Sequence, residues 1–282
     1  MVKGKARPDH RRASPPREYF DGAEPDIIFN RTPESEDLGD GRLLLLALDT
    51  STPRASVALG RPGESPRVAP READDDPARR HGRGLMPAIK ALLDAEGVKV
   101  ADLGAIAVGL GPGSYTGLRI GLTAAKTLAY AIGKPLLALD SLEAIARNAS
   151  ADAARVVVAV DAQRGDAYVA AFGRESPGSP LLRLGPTTIE PVGAWSDALE
   201  PGTLVLGPGL ERLRADWPEA LRIGSPDQGH PDPANLIPLA FESLEAGRQL
   251  DPFFSEPLYL RRSAAEDQWE RRGFADRKGP AR

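Results

Sequence analysis

Apolar residues along the chain fall in short runs parted by polar turns, and that pattern sets out the elements. Leu43 to Leu48 is unbroken, as a strand buried on both faces requires. The polar turn Asp49-Thr50-Ser51-Thr52-Pro53 and the alternating run Ala55 to Gly60 complete a hairpin. From Leu85 to Gly97 the period changes to helical: Leu85, Met86, Ile89, Leu92 and Leu93 share one face. Pro87 suits the first turn of that helix and Gly97 its stop. A strand at Ala105 to Val108 then runs into Gly109 to Gly121, which holds five glycines in 13 residues. A helix leads out to Ile132 and stops at Gly133-Lys134-Pro135. Strand Leu136 to Leu139 and helix Ser141 to Ala146 follow, with Ser141 placed to cap the helix.

The plan then repeats. Val156 to Val160 reads as a buried strand ending at Asp161. Asp161 to Asp166 reads as a turn, and Ala167 to Phe172 as the partner strand. A short strand at Leu181 to Leu184 follows. Thr203 to Leu206 runs into Gly207-Pro208-Gly209, and Asn235 to Gly247 forms an amphipathic helix. Glu256 to Arg261 closes the fold. The expected division is a disordered extension at 1–41, a first lobe at 42–140, a second at 141–262 and a charged tail at 263–282. The loop from Arg61 to Gly84, with Asp74-Asp75-Asp76, reads as solvated surface.

Composition narrows the chemistry. Cysteine is absent, and His10, His81 and His230 are far apart in sequence, so thiolate sites and an HxxxH metal pair are excluded. A net charge of -4 argues against nucleic-acid binding by bulk electrostatics. No apolar run reaches the ~20 residues of a membrane span, and the N-terminus lacks the apolar segment of a secretory signal, so a cytoplasmic protein without a membrane role is expected. The glycine stretch lacks the third glycine of GxGxxG and contains no GxxxxGK[ST]. Its glycines serve either a ligand or a neighbouring backbone. The four-residue spacing of Gly117, Gly121 and Ala125 favours packing. Asp49 and Asp161, each ending the first strand of its half, would face each other across a cleft if the halves are pseudo-symmetric. There they could serve a cation or phosphate, or simply satisfy turn amides.

Five stretches carry a resemblance. They are Leu46 to Thr52, the helix from His81 to Leu93, Gly109-Leu110-Gly111-Pro112-Gly113-Ser114-Tyr115-Thr116-Gly117-Leu118-Arg119-Ile120-Gly121, Asp140 to Ala144 and Asp161 to Tyr168. With the closing Pro257-Leu258-Tyr259-Leu260-Arg261, the chain resembles the TsaB (YeaZ) family over about residues 43 to 262. The family is sometimes labelled glycoprotease-like. The resemblance implies an α/β fold of two ribonuclease H-like lobes of the actin-like, sugar-kinase-like superfamily, here with disordered N- and C-terminal extensions. It implies a non-catalytic subunit that forms a heterodimer with the related TsaD and works with the ATPase TsaE. Together they make threonylcarbamoyladenosine beside the anticodon of tRNA. This subunit would have no cofactor of its own and no catalytic residue, and would meet tRNA only through the complex. ATP and a metal ion belong to the partner subunits.

The expected partner interface comprises Leu85, Met86, Ile89, Leu92, Leu93, Gly113, Tyr115, Gly117, Arg119 and Gly121, and a homodimer could form on it when TsaD is missing. Asp49, Thr50, Ser51 and Asp161 would form a vestigial phosphate site. Ser51, Gln163 and Pro208 depart from what nucleotide-binding relatives or the family carry. The alternative is a small-molecule kinase or ATPase of the actin-like superfamily that uses Asp49 and Asp161 with magnesium. A metalloprotease would need ligands the sequence does not supply.

Overall fold

The computed structural model describes residues 43–69 and 84–261. The expectations for both extensions, for His10 and His81 and for Asp74-Asp75-Asp76 lie outside these residues.

Two six-stranded sheets organise the chain. In chain order the first contains β1 (Leu45–Asp49), β2 (Ser56–Gly60), β3 (Arg67–Val68), β4 (Ala105–Gly109), β5 (Leu136–Leu139) and β12 (Gln249–Leu250), in spatial order β12-β5-β4-β1-β2-β3. The β1–β4 and β4–β5 pairs are parallel; β1–β2 is the antiparallel hairpin, with Asp49 opposite Ser56. Three helices clothe this sheet: α1 (Leu85–Ala95) and α2 (Tyr115–Ile132) on one face, and α6 (Pro233–Glu245) on the other. Strand alternation explains how an unbroken apolar run serves both faces. Leu44, Leu46 and Leu48 enter the core under α1 and α2, whereas Leu43, Leu45 and Ala47 enter the core under α6.

The second sheet contains β6 (Arg155–Asp161), β7 (Asp166–Gly173), β8 (Leu182–Arg183), β9 (Thr188–Pro191), β10 (Leu204–Leu206) and β11 (Arg222–Ile223). Its path is β11-β10-β6-β7-β8, with β9 also paired to β7. Helices α4 (Val192–Asp197) and α5 (Leu210–Leu213) complete this half. Between the sheets lies α3 (Ser141–Ala146): its Ala144 packs into the α6 core, and its Leu142 and Ile145 pack with Val156, Val158 and Phe172 of the second sheet.

Four findings differ from the sequence reading. Asp140, not Ser141, caps α3: its Oδ1 accepts from the amides of Leu142 (2.8 Å) and Glu143 (3.2 Å). Its other oxygen pairs with Arg183 of β8, and Ser141 is thereby free for another bond. Residues 233–250 return to the first sheet, because α6 packs on β1, β2 and β5 and β12 pairs with β5. The second lobe therefore does not run unbroken to residue 262. The short elements β3, β9, β11, β12, α4 and α5 were not anticipated, and β3 lies within the stretch from Arg61 to Gly84 expected to be a solvated loop. Met86 leaves the buried face of α1 and is 49% exposed, while Leu85, Ile89, Leu92 and Leu93 are buried. Each of those four contributes roughly 1.5–3 kcal/mol by leaving water.

Candidate functional site

The glycine stretch and the β1–β2 turn are built into each other. The Asp49 carboxylate is fully buried at the end of β1. It accepts from the Ser51 amide (2.7 Å) and from the Ser141 hydroxyl (2.6 Å), which in turn accepts from the Gly111 amide (3.0 Å). Burial raises the Asp49 pKa, and the hydrogen bonds from Ser141 and Ser51 only partly oppose that. The Ser114 amide donates to Ser51 O at 2.7 Å, and Thr50 Oγ1 donates to Gly117 O at 2.7 Å. Ser114 also caps α2, its hydroxyl accepting from the Gly117 amide.

Close approach explains the glycines. A Cβ on Gly113 would lie 2.3 Å from Ser51 O, one on Gly117 2.1 Å from Thr50 O, and one on Gly121 2.1 Å from Thr50 Oγ1. A mid-helix glycine costs about 1 kcal/mol relative to alanine, and here that cost admits the β1–β2 turn against α2. The packing reading of the stretch holds, and the neighbour is the protein's own turn.

A cleft of about 580 Å³ opens between the two sheets. Ser51, Thr52 and Tyr115 line one side of it, and Asp161, Arg164 and Arg212 the other, with Tyr259 and Arg261 at its edge. Asp161 thus reaches the cleft, where its Oδ1 accepts from the Gln163 amide (2.6 Å). Asp49 and Thr50 do not line it; both are buried beneath the turn. The expected pair of carboxylates facing each other is therefore not formed, because Asp49 is occupied beneath the turn by the Ser51 amide and the Ser141 hydroxyl. Among the described residues no three His, Cys, Asp or Glu side chains are grouped to hold a metal ion. Arg164, Arg212 and Arg261 were not singled out from the sequence. The one signal was the arginine pair, Arg261-Arg262, that directly follows the apolar Pro257 to Leu260 run.

The residues assigned to a partner face divide. Leu85, Ile89, Leu92 and Leu93 lie in the first core, and Gly113, Gly117 and Gly121 face the β1–β2 turn, so none of these seven offers a side chain outward. Met86, Tyr115 and Arg119 are exposed. Arg119 lies 4.4 Å over the Tyr115 ring and donates from Nε to the Tyr259 hydroxyl at 2.9 Å; that bond raises its pKa further. Tyr130 and Phe253, also exposed, meet edge to face at 5.2 Å.

Two sheets joined across a cleft, with the first-strand carboxylate sequestered, define an α/β protein in which the described residues do not bring Asp49 and Asp161 together. Relatives agree in extent. A Bacillus subtilis tRNA threonylcarbamoyladenosine biosynthesis protein TsaB is 32% identical over 80% of this chain and 98% of its own length. Its Escherichia coli namesake is 28% identical over 78% and 96%. The structure titled YeaZ from Pseudomonas aeruginosa matches with a TM-score of 0.60 and 29% identity, over 76% of this chain and 99% of that one. Residues 68–176 also match the model of the family described as TsaD, tRNA N6-adenosine threonylcarbamoyltransferase. The chain belongs to the TsaB (YeaZ) family, whose named members are tRNA threonylcarbamoyladenosine biosynthesis proteins. None of its described helices is long and apolar enough to cross a membrane.

Proposed function

We propose that this protein is a non-catalytic subunit that binds and stabilises TsaD in the complex forming N6-threonylcarbamoyladenosine in tRNA. The observation that carries this reading is the state of Asp49. A kinase or ATPase of the actin-like superfamily would present that carboxylate to a cation in the cleft. Here it is fully buried and bonded to Ser141 and Ser51. Family membership supplies the pathway. In this reading the two sheets are ribonuclease H-like lobes, residues 42–140 with 233–250 forming one and 141–232 the other. TsaE joins the complex, and ATP and a metal ion are used by the partners. tRNA is met through TsaD, and the cytoplasm is the compartment.

The outward residues of α1 and α2 are the proposed TsaD contact, with Met86, Tyr115 and Arg119 at its centre. A homodimer would use the same face. Testing this requires an exposed substitution, because Ile89 is core. Met86→Glu with Arg119→Glu should abolish co-purification of TsaD from the same organism while the melting transition stays within a few degrees of the parent. Undiminished TsaD capture by that folded variant would remove the interface. Calorimetry with Mg-ATP tests the rival: saturable binding and hydrolysis lost in Asp49→Asn would establish an enzyme.

A further inference from the structure

After β12 the chain crosses from the first sheet to the second along residues 251–261, and it is tied down along the way. Lys126 of α2 donates to the carbonyls of Ser255 (3.0 Å) and Phe253 (3.4 Å). The Leu258 amide donates to Leu110 O at 3.0 Å, beside the glycine stretch. The Tyr259 ring lies 5.1 Å from that of Tyr115, and its hydroxyl accepts from Arg119. Arg261 then reaches the second sheet. Its Nη1 donates to Ala162 O (2.8 Å) and Gln163 O (3.0 Å), and its Nη2 pairs with Asp166.

The β6–β7 turn that Arg261 grips is strained. Gln163 and Arg164 have φ of +63° and +61°, followed by Gly165 at +84°. Turns with two central left-handed residues favour Asn-Gly, and a residue with a longer side chain is strained in that region. The Asp161 carboxylate holds the turn from inside through the Gln163 amide. Arg261 holds it from outside, through two of its carbonyls and the carboxylate that follows. A planar guanidinium fork can make those three contacts at once.

We propose that residues 251–261 are a clasp that, together with α3 and the Thr52–His230 contact, fixes the separation of the two sheets, and hence the width of the cleft, with Arg261 as its closing element. One end is fixed to α2 and the glycine stretch. The other end is fixed to a turn that would relax if released. The proposal concerns the isolated chain and does not depend on which protein it binds.

Because the sequence has no cysteine, Lys134→Cys and Glu175→Cys place one spin label on each half of the full-length chain. Both residues are exposed, and neither belongs to the clasp. Pulsed electron paramagnetic resonance on this background should give one narrow distance distribution. Arg261→Ala should broaden it, and should speed amide exchange at 163–166 by tenfold or more. Arg261→Lys should give an intermediate result, and it decides the matter if the alanine variant does not fold. Adding Arg164→Gly to Arg261→Ala should restore protection at the turn and leave the distribution broad. The proposal is overturned if folded Arg261→Ala or Arg261→Lys superimposes on the parent in both readouts. It is also overturned if Arg164→Gly restores the distance, since Arg261 would then be only a turn cap.

Discussion

The two halves run the same sequence plan to different ends. Each begins with a hairpin whose first strand ends in aspartate: β1–β2 with Asp49 and β6–β7 with Asp161. Each later has a strand that enters a glycine turn, β4 at Gly109 and β10 at Gly207. In the first half that turn launches an 18-residue helix, which lies against the hairpin turn and helps seal Asp49 in. In the second the helix has four residues, and Asp161 stays exposed. What covers a turn decides whether its acid is structural or accessible. The first turn is packed against α2 and the glycine stretch beside it. The second is held by a segment arriving from elsewhere in the chain.

The largest test of this contrast concerns glycines in helices. Gly121→Val should destabilise by about 3 kcal/mol or more, because the Thr50 hydroxyl would be only 2.1 Å from the new Cβ. Gly193→Ala in α4 meets nothing within 4 Å and should stabilise by about 0.5–1 kcal/mol. Urea denaturation measures both, and equal effects would show that α2 has no special fit to the turn.

A middling effect is expected in the pH dependence. The ordinary aspartate value is 3.8, and burial raises that of Asp49 in the folded state. Below 3.8 both states hold the proton. As pH rises from there to the folded value, the unfolded chain releases its proton first, so this group's contribution to stability falls. Above the folded value the contribution is constant. Asp49→Asn should abolish this fall; a pH–stability difference curve that stays flat between parent and variant would contradict the burial argument. The smallest effect is expected for Asp161→Asn. Its asparagine oxygen still accepts from the Gln163 amide, so stability should change by no more than about 0.5 kcal/mol. A loss comparable to that of Gly121→Val would mean that the second turn depends on its acid as heavily as the first depends on its glycines.

The central strands were legible because continuous apolar runs leave few alternatives, as in Leu45–Asp49 and Arg155–Asp161. Close packing of α2 was legible too, from the spacing of Gly117 and Gly121, although the expected neighbour was a partner and the one found is the protein's own β1–β2 turn. Met86 was misread because a helical wheel gives a stripe, not its edges: Leu85, one residue away, is buried and Met86 is not. Ser141 was read as a cap because its hydroxyl suits that role; Asp140 took the role, and Ser141 turned to Asp49, 92 residues earlier. Partners that distant leave no local trace. The two-residue strands β11 and β12 are legible only through the neighbours that pair with them. The arginines of the cleft were missed for the same reason: Arg164, Arg212 and Arg261 converge only when the sheets meet.

The return of α6 and β12 to the first sheet also orders the protein's assembly during synthesis. The second sheet draws on residues 155–223 alone and can pair as soon as they have left the ribosome. The first sheet begins at residue 45 yet waits for residue 250 to finish its edge, and for 233–245 to cover one face. The half made first is thus completed last. In that interval Leu43, Leu45, Ala105 and Leu137 lack the cover that α6 gives them, and a chaperone acting on the nascent chain would find its target there.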